Sequence, residues 1–121
     1  MVSQYAALGA LQVGHGYCRE KLGAIAQVQQ RIFQEFSRVN HLISLPPANG
    51  AFYFLLRVYT ELTSMQLVER LIREHRVAVI PGSTFGLEEG CYLRVAYGAL
   101  QKEAATEGIE RLIWGLKTIL K

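Results

Sequence analysis

Aspartate is absent: all ten acidic residues among the 121 are glutamates. Chemistry that depends on a buried aspartate has no donor in this chain. Lysine is scarce, limited to Lys21, Lys102, Lys117 and Lys121, and each falls in a stretch that reads as exposed helix. An activated lysine is not expected either. The two cysteines, Cys18 and Cys91, lie far apart without CxxC or Cys/His spacing, which argues for reduced, partly buried thiols over a disulfide or a zinc site. His15, His41 and His75 are too scattered for a metal site and read as surface or helix-end residues. No apolar run approaches the roughly 20 residues needed to span a bilayer. The start MVSQYAALGA lacks the charged opening and cleavage pattern of a signal peptide. A cytoplasmic chain with no membrane partner is expected. Thirteen basic residues give a net charge of only +3 and form no cluster able to track phosphates, so nucleic acid is not expected as a partner.

Half of the residues are hydrophobic, with no low-complexity stretch, which predicts one compact unit folded almost end to end. Residues 3 to 39 carry a helical pattern in two parts, broken at VGHG, Val13 to Gly16, where two glycines weaken or bend a helix. The second part places Leu22, Ile25, Ile32, Phe36 and Val39 near one face. LPPANG then stops the chain, and AFYFLLRVY follows as a strand that puts Phe52, Phe54, Leu56 and Val58 on an apolar face. Tyr53 and Arg57 lie on the other. Thr63 and Gln66 resemble a capping box opening a short helix, with Val68, Leu71, Ile72 and His75 at helical spacing. VAVI, Val77 to Ile80, reads as a brief buried strand ended by Pro81, and CYLRVAY as another strand. A closing amphipathic helix runs from about Lys102 to Leu120, with Trp114 off its main stripe as either a core-boundary residue or a contact with another domain. The predicted fold is α+β: a small sheet of three or four strands with helices packed on one face, preceded by a long kinked helix.

Alternation through CYLRVAY sends Cys91, Leu93, Val95 and Tyr97 one way and Tyr92, Arg94 and Ala96 the other. Arg94 thus stands on the face that the helices do not need. It could pair with Glu88 or Glu89 in the preceding loop, simply reach solvent, or present its planar fork to a ligand carboxylate. The loop offers Pro81 and Gly82, the hydroxyls of Ser83 and Thr84, and Gly86 and Gly90, which permit backbone geometry closed to other residues. Ser83 and Thr84 read as satisfying the loop itself.

NGAFYF, a helix, VAVIPGSTFG, YLRVAYG and a closing helix containing ERL follow one another in an order that resembles the C-terminal small domain of class I/II aminotransferases, the pyridoxal-phosphate enzymes of fold type I. The resemblance covers about Pro47 to Leu120, and SQYAALGAL resembles part of the interdomain helix before that domain. It implies that residues 1–40 are an interdomain helix region and 41–121 the small domain. In that family the arginine after the PGSxFG loop binds the substrate α-carboxylate, which implies this role for Arg94, with Tyr53 as a lesser substrate-side candidate. Pro81, Gly82, Phe85 and Gly86 would line the mouth of the site. The resemblance further implies pyridoxal 5'-phosphate in a full-length parent, an amino-acid substrate, a large domain of the same polypeptide, a homodimer, and a place in amino-acid biosynthesis. The family's Schiff-base lysine and pyridinium-binding aspartate have no counterpart here, so the chain alone is expected to bind no cofactor and to be inactive. The competing reading is a stand-alone module that binds a small acid or dimerises across its open sheet face.

Overall fold

The computed structural model describes residues 1–98 and 101–121. Gly14 separates two helices, α1 (Val2–Val13) and α2 (His15–Ser37), and its φ of 70° with ψ of −162° is a conformation that only glycine adopts readily. The break expected at VGHG is there. The chain then forms strand β1 (Ile43–Ser44), strand β2 (Tyr53–Val58), helix α3 (Ser64–His75), strand β3 (Ile80–Pro81), a 3-10 turn (Gly82–Phe85), strand β4 (Cys91–Ala96) and helix α4 (Lys102–Ile119). The strands make one antiparallel sheet in the order β1-β2-β4-β3.

Thr63 starts α3 by the reciprocal bonding read from the sequence. Its hydroxyl accepts the Gln66 backbone N–H at 3.2 Å, and the Gln66 side chain accepts the Thr63 N–H at 3.0 Å. Alternation decides the faces of the central strands. Phe54, Leu56 and Val58 of β2 and Cys91, Leu93 and Val95 of β4 are buried in one core with α2, α3 and α4. Phe54 is its aromatic centre, edge-on to Phe33 and Phe36 and stacked on Tyr97 at 5.0 Å. Gly115 lets α4 approach α3, because a Cβ there would lie 2.7 Å from Leu71 and 3.1 Å from His75.

Several expectations need correction. The strand expected over Val77 to Ile80 is instead Ile80–Pro81, and Val77 and Val79 only pack beside the core. Pro81 belongs to the strand rather than ending it, which is tolerated because β3 is the sheet's edge. Leu22, Phe52 and Ile72, expected on apolar faces, are exposed at 61%, 50% and 47%. Trp114 is 67% exposed, so it is not a core-boundary residue. No residue of α1 is buried.

The two thiols differ. Both cysteines are free, Cys18 exposed and Cys91 buried, so the expectation of two partly buried thiols is wrong on both sides. Burial pushes the Cys91 thiol from 9.0 up to about 11. Because the folded value is the higher one, the stability linked to this thiol is intact below about pH 9 and is lost as pH rises toward 11. Iodoacetamide at pH 8 is expected to label one thiol of the folded chain, Cys18, and both after unfolding in urea. Mass spectrometry finding Cys91 labelled at the same rate as Cys18 in the folded chain would contradict the burial.

Candidate functional site

Arg94 lies on the strand with neighbours on both sides. It faces Leu55 of β2 and Ile80 of β3 across the two ladders, so its backbone is pinned from left and right. Its side chain leaves the sheet on the face away from the helices, shared with Tyr53, Leu55, Arg57, Tyr92 and Ala96. Tyr53 pairs directly with Ala96, which puts its ring on the diagonal to Arg94. The Arg94 guanidinium carbon lies 4.3 Å from the centre of that ring and 5.6 Å from the ring of Phe85. Contacts of this kind contribute about 0.5–1 kcal/mol each at an accessible site.

The acids are elsewhere. Among the described residues the ion pairs are Arg31–Glu35, Arg38–Glu35, Arg70–Glu74 and Arg111–Glu107, each within one helix or its cap. Neither Glu88 nor Glu89 pairs with Arg94, which removes the structural explanation offered by the loop. Arg57, the other guanidinium on this face, turns toward Tyr59 at 5.8 Å.

The loop is held against the sheet by close packing. Pro81 and Gly82 are buried, and a Cβ on Gly82 would fall 2.6 Å from Tyr92 Cβ and 3.0 Å from the Tyr92 carbonyl oxygen. Only glycine allows the turn to sit there. Gly86 closes the turn at φ 84°, donating its N–H to the Ser83 carbonyl at 3.1 Å. The Ser64 hydroxyl, buried at the start of α3, donates to the Ser83 hydroxyl at 3.3 Å and ties the loop to that helix. Ser83 therefore serves the loop, as read. Phe85, at the end of the turn, is 53% exposed and reaches over Arg94. Beside these residues a depression of 270 Å³ opens between residues 46–51 and Tyr53 and Leu55.

The structure thus brings together Arg94, Tyr53 and Phe85, all named from the sequence, while Pro81, Gly82 and Gly86 shape the loop. Missed were Leu55 and Ile80 as the flanking partners of Arg94, and Ser64 as the anchor of the loop. Register carries the first two, and alternation within one strand does not reveal register. The histidines lie at the start of α2, in the connection after it, and at the end of α3.

Among the described residues no ion pair engages the Arg94 guanidinium, which stands on a strand paired on both sides, beside a glycine-anchored loop. The family model for aminotransferases of class I and II matches residues 2–112, and the chain belongs to that family. It is 32% identical over 123 residues to a probable aspartate/prephenate aminotransferase of Aquifex aeolicus, covering 97% of this chain and 30% of that protein. An aspartate aminotransferase of Thermotoga maritima is 30% identical over 111 residues, covering 92% of this chain and 27% of its own length. Among solved structures, an aromatic aminotransferase of Pyrococcus horikoshii superimposes with a TM-score of 0.76 at 32% identity, over 96% of this chain and 31% of that one. The chain spans about 30% of the length of such relatives.

Proposed function

We propose that this chain is the C-terminal, substrate-gripping part of a pyridoxal-phosphate-dependent aminotransferase, in which Arg94 holds the α-carboxylate of an amino-acid substrate. The observation that carries this is the position of Arg94, on the uncovered sheet face with no glutamate partner among the described residues. A guanidinium fork accepts a carboxylate through two parallel N–H donors, which fixes the direction of the substrate as well as its charge. Residues 1–40 then form the interdomain helix region and 41–121 the small domain. Tyr53 and the loop of Pro81, Gly82, Phe85 and Gly86 form one wall of the site.

Pyridoxal phosphate asks for an amine to hold its aldehyde and an acid beside its ring nitrogen. All four lysines are exposed residues of α2, of α4 or of the chain end, aspartate is absent, and the Arg94 face carries neither group. The residues present do not fit the cofactor. Its lysine, acid and phosphate cradle belong to the large domain of the parent, and this chain by itself is inactive. The parent acts in amino-acid biosynthesis as a cytoplasmic homodimer. Within it the role of this part is to bind and orient the substrate carboxylate.

Borohydride reduction of the native protein, followed by mass spectrometry of peptides upstream of Met1, tests the reading. A pyridoxyl-lysine in an upstream peptide is expected. A native polypeptide that starts at Met1 and carries no reduced cofactor would overturn it in favour of a stand-alone binding module.

A further inference from the structure

We infer that Tyr53 and Phe85 are positioning residues that hold the Arg94 guanidinium ready for a carboxylate, acting through Arg94 rather than touching the substrate's charge. The inference rests on the carboxylate-binding role proposed for Arg94. Its basis is that two aromatic rings from different elements, one on β2 and one at the end of the 3-10 turn, lie 4.3 and 5.6 Å from the guanidinium carbon.

A guanidinium can be steadied in two ways, with opposite consequences for a ligand. An acidic neighbour binds the edge of the fork, occupies its N–H donors and cancels its charge. An aromatic neighbour attracts the cation through the negative face of its ring and consumes no donor. The surroundings of Arg94 are of the second kind, since no glutamate pairs with it among the described residues. Such a cation keeps both its charge and its donors while giving up part of its rotamer freedom before the ligand arrives. The ligand then has less ordering to impose, which raises affinity.

The two rings are fixed by different devices. Tyr53 is set by the β2–β4 register, which pairs it with Ala96 and places it diagonally across from Arg94. Phe85 is set by the turn, pressed on β4 where Gly82 meets Tyr92 and bonded to α3 through Ser64 and Ser83. Arg57, on the same face, has one ring, Tyr59, at 5.8 Å, and serves as an internal reference.

The test uses the full-length protein labelled with ¹⁵N-arginine, observing the arginine Nε–H signals before and during titration with sodium propionate at constant ionic strength. In the unmodified chain the Arg94 signal is expected to be displaced by ring currents and to move with propionate. Tyr53→Leu and Phe85→Leu are each expected to collapse that displacement toward the random-coil position and to weaken the propionate response about fivefold. Tyr53→Phe, which keeps the ring face, should retain both. Backbone amide spectra of the variants verify that the sheet is intact, so loss of folding is separated from loss of positioning. A propionate response of equal strength in the unmodified chain and in both leucine variants overturns the positioning role while leaving the clamp standing. No propionate response at Arg94 in the unmodified chain overturns the clamp, and the positioning role with it.

Discussion

Arg94→Ala in the full-length enzyme is expected to raise KM for the amino-acid substrate by about 10- to 100-fold while leaving the affinity for pyridoxal phosphate unchanged. Two charge-assisted hydrogen bonds are lost, and bonds of that class contribute about 1.5–3 kcal/mol each before partial compensation by water. Arg94→Lys should recover little, because an ammonium restores charge but not the planar fork. Stability should fall by no more than about 1–2 kcal/mol, the worth of its two ring contacts, since Arg94 has no ion pair to break among the described residues and its backbone stays in both ladders. Steady-state kinetics against the amino acid, with a separate cofactor titration, make the measurement. Equal losses in both quantities, or none in either, would remove Arg94 from its assigned role.

Gly82→Ala is expected to destabilise the domain by about 1–3 kcal/mol, the usual range for forcing atoms into a filled space. The added methyl would meet Tyr92 Cβ at 2.6 Å and the Tyr92 carbonyl oxygen at 3.0 Å. Those atoms belong to the backbone and first carbon of β4, a strand paired on both edges, so the turn must move instead. Lifting the turn carries Phe85 away from Arg94. The same substitution should therefore lower the urea midpoint of the chain and raise KM for the amino acid in the full-length enzyme. An unaltered midpoint would mean that the contact relaxes at no cost.

Much of this was legible because β2 and β4 are long enough to show alternation. Six residues with apolar groups at every second place assign both faces, and Arg94 follows from Leu93 and Val95 on either side of it. The break at Gly14 and the cap at Thr63 were equally visible, since each depends on local chemistry. β1 has two residues and no period to detect. It exists because Ile43 and Ser44 lie opposite Val58 and Arg57, a fact of the tertiary fold. Sequence pattern places β3 too early for a related reason: Val77 and Val79 carry strand propensity, but the ladder to β4 begins only at Ile80. The sequence points to Tyr53 and Phe85 singly and not as a pair, because 32 positions separate them and only the fold joins them. Ile72 and Leu22 show the limit of helical stripes, which rank positions by spacing without knowing how far a neighbouring element reaches.

Gly14 gives the molecule an elbow. Without it, residues 2–37 would make a straight rod of about 54 Å; with it, the chain has two legs of roughly 18 and 35 Å joined at a non-helical residue. Only the longer leg is welded to the body of the domain, through Val28, Ile32 and Phe36. The shorter leg has no buried residue, so within this chain it is joined to the longer one through Gly14 and not through packing. Swinging the body about that joint would tear no core contact. Arg94, clamped between two strands, would travel with the body as cargo on a lever.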